Sequence, residues 1–251
     1  MSLTVLIAPS GFKESLSVKD VAEAIARGVR RAAPHAAVLC APMVDGGEGT
    51  TEALIAATGG RMIDTCVTGP VGDPVASFWG LMGGTGPRTA VIEMAAAAGL
   101  SLVPRDRRDP TLTTSRGVGE LILKALDHGV DRILIGCGDS GINDGGAGMA
   151  RALGARLLDA QGRDLPEGGG ALQDLDRIDI AGLDPRLSGV RIDAAVNWHN
   201  MLLGERGVAR VFGPQKGATP DQVEQLDRGM VRYAAAILAA TGRDVAPMQG
   251  A

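Results

Sequence analysis

The chain has 251 residues, with 25 basic against 29 acidic side chains, a net charge of −4, and a composition that is 45% hydrophobic but only 2% aromatic. A slightly acidic chain with so few aromatic rings lacks the basic surface and the stacking platforms of a general nucleic-acid binder, and no apolar run approaches the length needed to span a membrane. Aliphatic side chains must fill the interior, and the length allows one large or two small domains.

In chain order, residues 3–8 form a short apolar run that reads as a strand. Ser17 is placed to cap a helix whose apolar face is Val21, Ala24, Ile25 and Val29. Residues 37–41 read as a second strand, 50–58 as a helix stopped by Gly59-Gly60, and 61–67 as a third strand. Strand-helix alternation of this kind implies an α/β fold with a parallel sheet. Residues 68–74 are dense in turn formers and are taken as a domain boundary. Beyond it, strands are expected at 77–81, 89–93, 132–135, 156–159 and 190–196, and helices at 117–127 and 221–238. Residues 143–154 read as a glycine-rich opening to a helix, and 160–190 as polar chain with little periodicity. Cys40, Cys66 and Cys137 are too widely spaced for a zinc site. Cys40 and Cys66 end or lie in apolar runs and are expected to be buried thiols. The odd cysteine count and the lack of a leader-like segment point to the reducing cytosol.

Three glycine-and-acid motifs carry the chemistry: Val-Asp-Gly-Gly-Glu-Gly-Thr at 44–50, Gly-Asp-Ser-Gly-Ile-Asn-Asp-Gly-Gly-Ala-Gly-Met at 138–149, and Phe-Gly-Pro-Gln-Lys-Gly-Ala at 212–218. Glycine lets a backbone come close to a ligand, carboxylates can hold a metal, and a lysine can meet a phosphate oxygen. Together they suggest a site for a polyanion and its metal. Asp45 and Glu48 are either a carboxylate pair at the mouth of the sheet or an ordinary turn with a first-turn acid. Lys13 and Lys216 are either phosphate ligands or solvated loop charges. Thr111, Thr113, Thr114 and Ser115 precede a helix, as caps or as ligand contacts. His35 and His128 neighbour helix ends, where a charged imidazole suits the dipole. No Gly-x-x-x-x-Gly-Lys-Ser/Thr is present, so a P-loop is excluded. A rival reading is an NAD-dependent dehydrogenase, because Gly136-x-Gly138-x-x-Gly141 follows a strand and Asp159 lies at about the spacing of a ribose-binding acid. Against it, Gly145, Gly146 and Gly148 crowd the would-be first helical turns, each costing about 1 kcal/mol relative to Ala in a helix interior.

Taken together, these segments resemble the bacterial glycerate kinase family, of the glycerate 2-kinase type. The matching stretches are Ile-Ala-Pro at 7–9, Phe12-Lys13 with Ser15-Leu16, Asp45 to Thr50, Val-Ile-Glu-Met-Ala-Ala at 91–96, and Leu112 to Thr114 with Gly117 and Gly119 to Ile122. Asn143 to Met149 and Phe212 to Ala218 complete the set, all in family order along the whole chain. The resemblance implies phosphorylation of glycerate by ATP with Mg²⁺, most often to 2-phosphoglycerate, in the cytoplasm, with no nucleic-acid or membrane partner and with homo-oligomerisation left open. It implies two α/β domains, the second inserted into the first: 1–67 in the first, 68–240 in the second, and 241–251 beginning the return. By the same resemblance Lys13, Asp45, Asp144 and Lys216 are the catalytic set, with Asp45 and Glu48 on the metal. Substrate or nucleotide would be bound by Ser10, Glu48, Thr114, Asp139, Ser140, Asn143, Gly145, Gly146, Asn197, Asn200 and Gln215.

Two departures from the family pattern bear on these expectations. Ser10 stands where the family has an acid, Asn197-Trp198-His199-Asn200 where it has Asp-Val-Asp-Asn, Asp139 where Gly is usual and Ile142 where Thr is usual. The family also continues past residue 251, through a segment expected to complete the first sheet. A catalytically impaired relative, or a kinase of a related hydroxy acid, is therefore the alternative expectation.

Overall fold

The computed structural model describes residues 3–10, 15–41, 43–196 and 199–250. It is a mixed α/β structure. β1 (Thr4–Ile7) and β2 (Ala37–Cys40) pair in parallel, joined by helix α1 (Val18–Ala32). Ser17 caps α1 as its sequence position suggests: Oγ accepts the Asp20 N–H at 3.1 Å. Ile7, Ala22 and Ala26 form a small core between helix and strands. The outer side chains Leu6 and Leu39 are exposed.

Helix α2 (Thr50–Thr58) ends at Gly59, which adopts the left-handed conformation at φ 66°, the usual C-terminal device of a helix followed by glycine. β3 (Arg61–Thr68), β4 (Pro74–Leu81), β5 (Thr89–Glu93), β6 (Arg132–Gly136) and β9 (Arg191–Ala195) then form one five-stranded sheet in the order β3-β4-β5-β6-β9. The β3-β4 and β4-β5 pairs are antiparallel, and β5-β6 and β6-β9 are parallel. β3 therefore does not join β1 and β2. The turn at 68–74 is the bend of a hairpin in which Arg61 through Thr68 pair with Leu81 through Pro74, so the strand on one side of the expected boundary shares its sheet with the strand on the other.

The main core lies between this sheet and helix α4 (Arg116–Asp127). Trp79, Ile92, Val118, Leu121, Ile122, Ala125 and Ile133 are among its fully or almost fully buried members. Short helix α3 (Ala95–Ala98), which periodicity did not reveal, is an all-alanine turn buried at every position; it has no polar face to generate a pattern. His128 stands at the C-cap of α4 with its ring edge-on to Trp79 at 4.9 Å.

The second core gathers around α7 (Pro220–Thr241). Thr219 and Gln222 form a reciprocal capping box at its start, and Leu226, Met230 and Tyr233 are buried along it. Against α7 pack a 3-10 turn at Gly169–Asp174 and the antiparallel pair β7 (Arg156–Leu158) and β8 (Arg177–Asp179). The polar stretch 160–190 thus contains a strand and two 3-10 turns. Helix α5 (Ala147–Ala152) starts four residues later than the expected 143, and α6 (Val208–Phe212) was not foreseen.

Two expectations about cysteine fail. Cys40 and Cys66 are both exposed. In β3 the inward positions are Ile63, Thr65 and Val67, so the pleat turns Cys66 outward with Met62 and Asp64. Cys40 ends a strand that α1 covers incompletely.

β5 is buried at all five residues and ends in a carboxylate, Glu93, only 2% exposed. Its two oxygens accept the N–H groups of Gly49 (3.2 Å) and Thr51 (3.1 Å), supplying the side-chain cap that Gly49 cannot give to α2. Burial pushes the Glu93 carboxyl above its ordinary 4.5, opposed by those two backbone donors and reinforced by the charges of Glu48 and Glu52. The folded protein thus holds this proton more tightly than the unfolded chain. The associated stability is complete below 4.5 and is lost as pH rises through the raised folded value. Relative to the non-titrating Glu93→Gln variant, the native protein should gain melting temperature as pH is lowered toward 4.5. Thermal melts of the two proteins across that range check this; a constant gap would mean that Glu93 titrates as an ordinary carboxylate. Ile133→Ala, in the centre of the sheet, should cost about 2–5 kcal/mol, measured as a drop in the urea midpoint.

Candidate active site

The carboxyl ends of the parallel strands β5, β6 and β9 point toward one set of loops, the place where ligands bind in open α/β sheets. The loop 45–49, between β2 and α2, docks onto the end of β6 through backbone contacts. Gly138 donates its N–H to Gly46 O at 2.9 Å, while Cys137 beside it donates to Ala195 O of β9 at 3.0 Å. A Cβ on Gly138 would lie 2.5 Å from Gly47 Cα, and one on Gly136 would lie 2.5 Å from Gly46 O. Two chains can approach this closely only without side chains between them, which explains the glycines of both motifs.

Asp45 and Glu48 are exposed at this junction. Asp45 Oδ1 accepts the Gly47 N–H at 3.2 Å, and Glu48 Oε1 accepts from Ser101 Oγ at 2.8 Å. Asp139 lies across from them, its Oδ2 accepting the Glu48 N–H at 3.0 Å. Among the described residues no group of three or more His, Cys, Asp or Glu side chains is assembled to hold a metal. Mg²⁺ is commonly held by one or two carboxylates, with water and substrate phosphates filling the remaining positions. Two exposed carboxylates of the same loop fit that requirement.

The second motif is organised by Asp144, which is fully buried. Its Oδ2 accepts from Ser115 N (2.8 Å), Ser115 Oγ (2.8 Å) and Gly148 N (3.0 Å), and its Oδ1 accepts from Gly146 N (3.1 Å). Met149 N donates to Ser115 Oγ at 2.9 Å. The amides of Gly146, Gly148 and Met149 are thus engaged by the protein's own oxygens. Gly145 and Gly146 take φ 60° and 82°, which reverses the chain before α5; Gly145 packs on the Tyr233 ring. Burial, and secondarily the Asp144 charge, push the Tyr233 phenol up, so it stays protonated. Asn143 is buried, and its Nδ2 has no hydrogen-bond partner among the described residues.

Lys216 is not a solvated loop charge. It is 7% exposed, and its Nζ donates to Ser140 Oγ (3.0 Å) and to the Ile142 carbonyl (2.5 Å), with the Phe212 ring 5.9 Å away. The 3-10 turn at Pro214–Lys216 directs it inward, leaving neighbouring Gln215 exposed. Lys216 therefore braces the loop that carries Ser140 and Ile142, and Asp139, on the same loop, is tied to the Glu48 amide.

One hydroxyl of the cluster serves the start of α4: Thr114 Oγ1 accepts the N–H of Arg116, the first residue of that helix, at 3.1 Å. Ser115 makes no side-chain cap bond to α4 and turns to Asp144. Thr113 Oγ1 donates to Gly141 O at 3.1 Å, and Thr114 Oγ1 donates to Glu167 Oε2 at 2.7 Å. Glu167 also pairs with Arg116 at 3.0 Å. Ser10 is exposed at the end of the β1 segment, and Asn200 O accepts the Gly250 N–H at 2.9 Å. Lys13 and Asn197 lie outside the described residues. Glu93 and Glu167 were not singled out as functional side chains by the sequence reading, whereas Ser115 was. For Glu93 a signal existed: a carboxylate closing a wholly apolar strand must be either buried with partners or at a ligand-facing strand end.

The dinucleotide reading fails on geometry. The Gly136-x-Gly138-x-x-Gly141 turn is followed by loop until α5 opens at Ala147, and β7 pairs with β8 in a separate antiparallel ribbon where a dinucleotide fold needs a parallel neighbour of β6. Asp159 is occupied by Gln161 N, Arg163 N and the Arg163 guanidinium.

The chain is similar along its whole length to proteins of known family. The chain is 51% identical over 249 residues to "Glycerate kinase" of Bacillus subtilis (strain 168) and, over the same length, 51% identical to "Glycerate 2-kinase" of Escherichia coli (strain K12). Each match takes in 99% of this chain but 65% of the relative, so the chain spans somewhat less than two thirds of the curated relatives it matches. A crystal structure from Salmonella typhimurium LT2, provisionally assigned as glycerate kinase 2, superposes with a TM-score of 0.82 at 52% identity, over 100% of this chain and 66% of that one. The model of the glycerate kinase family matches residues 5–251, and the chain belongs to that family.

Proposed function

We propose that this chain acts in the ATP-dependent phosphorylation of glycerate, with 2-phosphoglycerate as product. The observation that carries the reading is the 51% identity over 99% of the chain to a protein named glycerate 2-kinase. It is supported by the gathering of Asp45, Glu48, Asp139, Ser140 and Lys216 at the strand ends. In the reaction a glycerate hydroxyl oxygen attacks the γ-phosphorus of ATP, the bond from that phosphorus to the bridging oxygen breaks, ADP leaves, and the hydroxyl proton is released. Such transfers are catalysed mainly by positioning and by neutralising charge.

Asp45 and Glu48 are the groups proposed to hold Mg²⁺. When bound, the metal would neutralise charge on the phosphate oxygens. Lys216 supplies positive charge beneath the 140–142 loop and fixes its shape through Ser140 and Ile142. Asp144 holds the turn that follows Asn143, whose buried Nδ2 donor has no partner among the described residues. Exposed Cys40 and Cys66, both free thiols, are compatible with a reducing cytoplasm; among the described residues no helix is long and apolar enough to cross a membrane.

A coupled assay of ADP release tests the activity, and phosphorus NMR of the product tests the position of transfer. ADP release that requires glycerate, and a resonance at the 2-phosphate position, are the expected results; ATP turnover indifferent to glycerate would sink the reading. For Lys216 the prediction uses Lys216→Met, which keeps the buried volume. Losing one charge-assisted contact should lower kcat/KM by about 10- to 100-fold. Because the ammonium also holds Ser140 and Ile142, a stability loss of about 1–3 kcal/mol should accompany it. A destabilised variant with unchanged kcat/KM would reduce Lys216 to a structural strut.

A further inference from the structure

Among the described residues Asp139 alone has a side chain at positive φ, 55°; every other such position is glycine. A side chain in the left-handed region is uncommon, and where it persists its surroundings must hold it there. Here the surroundings are visible. The Asp139 carbonyl accepts the Leu100 N–H at 3.0 Å. Its Oδ2 accepts the Glu48 N–H at 3.0 Å and lies 2.2 Å from where a Cβ on Gly47 would stand. Glu48 Oε1 in turn accepts from Ser101 Oγ at 2.8 Å. The segments 45–49, 99–101 and 138–141 are thus closed into one ring of hydrogen bonds, and Asp139 contributes to it through both backbone and side chain.

We infer that Asp139 is a positioning residue: its carboxylate latches the 45–49 loop to the end of β6 and so sets where Asp45 and Glu48 stand. Its backbone conformation favours glycine, yet glycine could not reach the Glu48 amide. Asparagine tolerates the same conformation and keeps an acceptor oxygen. The kinetic consequence rests on the proposed kinase reading; the latch itself does not.

The test compares Asp139→Gly, Asp139→Ser and Asp139→Asn in the whole protein. Gly removes the latch while relieving the backbone; Ser is too short to span to Glu48. Hydrogen exchange at the Glu48 amide should accelerate roughly 10- to 100-fold in the Gly and Ser variants, the loss of a bond to a charged acceptor, and return close to native in Asn. The Mg²⁺ concentration for half-maximal rate should rise in Gly and Ser and recover in Asn. The melting temperature of Asp139→Gly should hold or rise. A merely structural residue would move melting temperature and leave the Mg²⁺ requirement unchanged. Native protection of the Glu48 amide in Asp139→Gly would overturn the latch. A native protein without glycerate-dependent ADP release would overturn the kinase reading, while the exchange measurement would still decide the latch.

Discussion

A carboxylate with no exposed surface, Asp144, holds the starts of α4 and α5 in one place. Removing a charge from water costs several kcal/mol unless its oxygens are fully engaged, and here four donors engage them: two from Ser115 and the amides of Gly146 and Gly148. The donors come from the residue before α4 and from the turn that opens α5. Each helix start is therefore fixed by the other through a single side chain, and the loop 139–143 suspended before it has little freedom. Lys216 closes the same loop from the opposite side through Ser140 and Ile142.

The chemistry of the site grows from how closely backbones are allowed to meet. Gly46, Gly47, Gly136 and Gly138 bring two segments far apart in sequence within van der Waals reach of each other, with no side chains between. That contact carries Asp45 and Glu48 to the strand ends, where Asp139 is already waiting. Asp45, Glu48 and Asp139 are thereby held on turns whose backbones these contacts fix.

Glu93 connects core to site. It closes a strand that is buried throughout and caps α2 from below, so the position of the helix that follows the 45–49 loop depends on a titratable carboxyl in a largely apolar setting. Its carboxyl is pushed up by burial, so this contact between core and site responds to pH.

The sequence by itself determined the order of most elements, because period-2 and period-3.6 patterns and glycine stops are local: α2 ends at Gly59, β5 at Glu93, and α1 begins after Ser17 as read from the residues. It determined the motifs and, through them, the family resemblance, including Asp45, Glu48, Asn143, Asp144 and Lys216 as residues to watch. It did not determine which strands pair. β3 leaves β1 and β2 to form a hairpin with β4, since pairing depends on non-local registry that a strand's own pattern does not encode. Nor did it determine burial in mixed settings: Cys40 and Cys66 face solvent, while Lys216 faces inward. The partners of Asp144 and Asp139 lie 29 and 91 residues away, so whether a carboxylate faces ligand or holds backbone was decided only when the chain closed on itself.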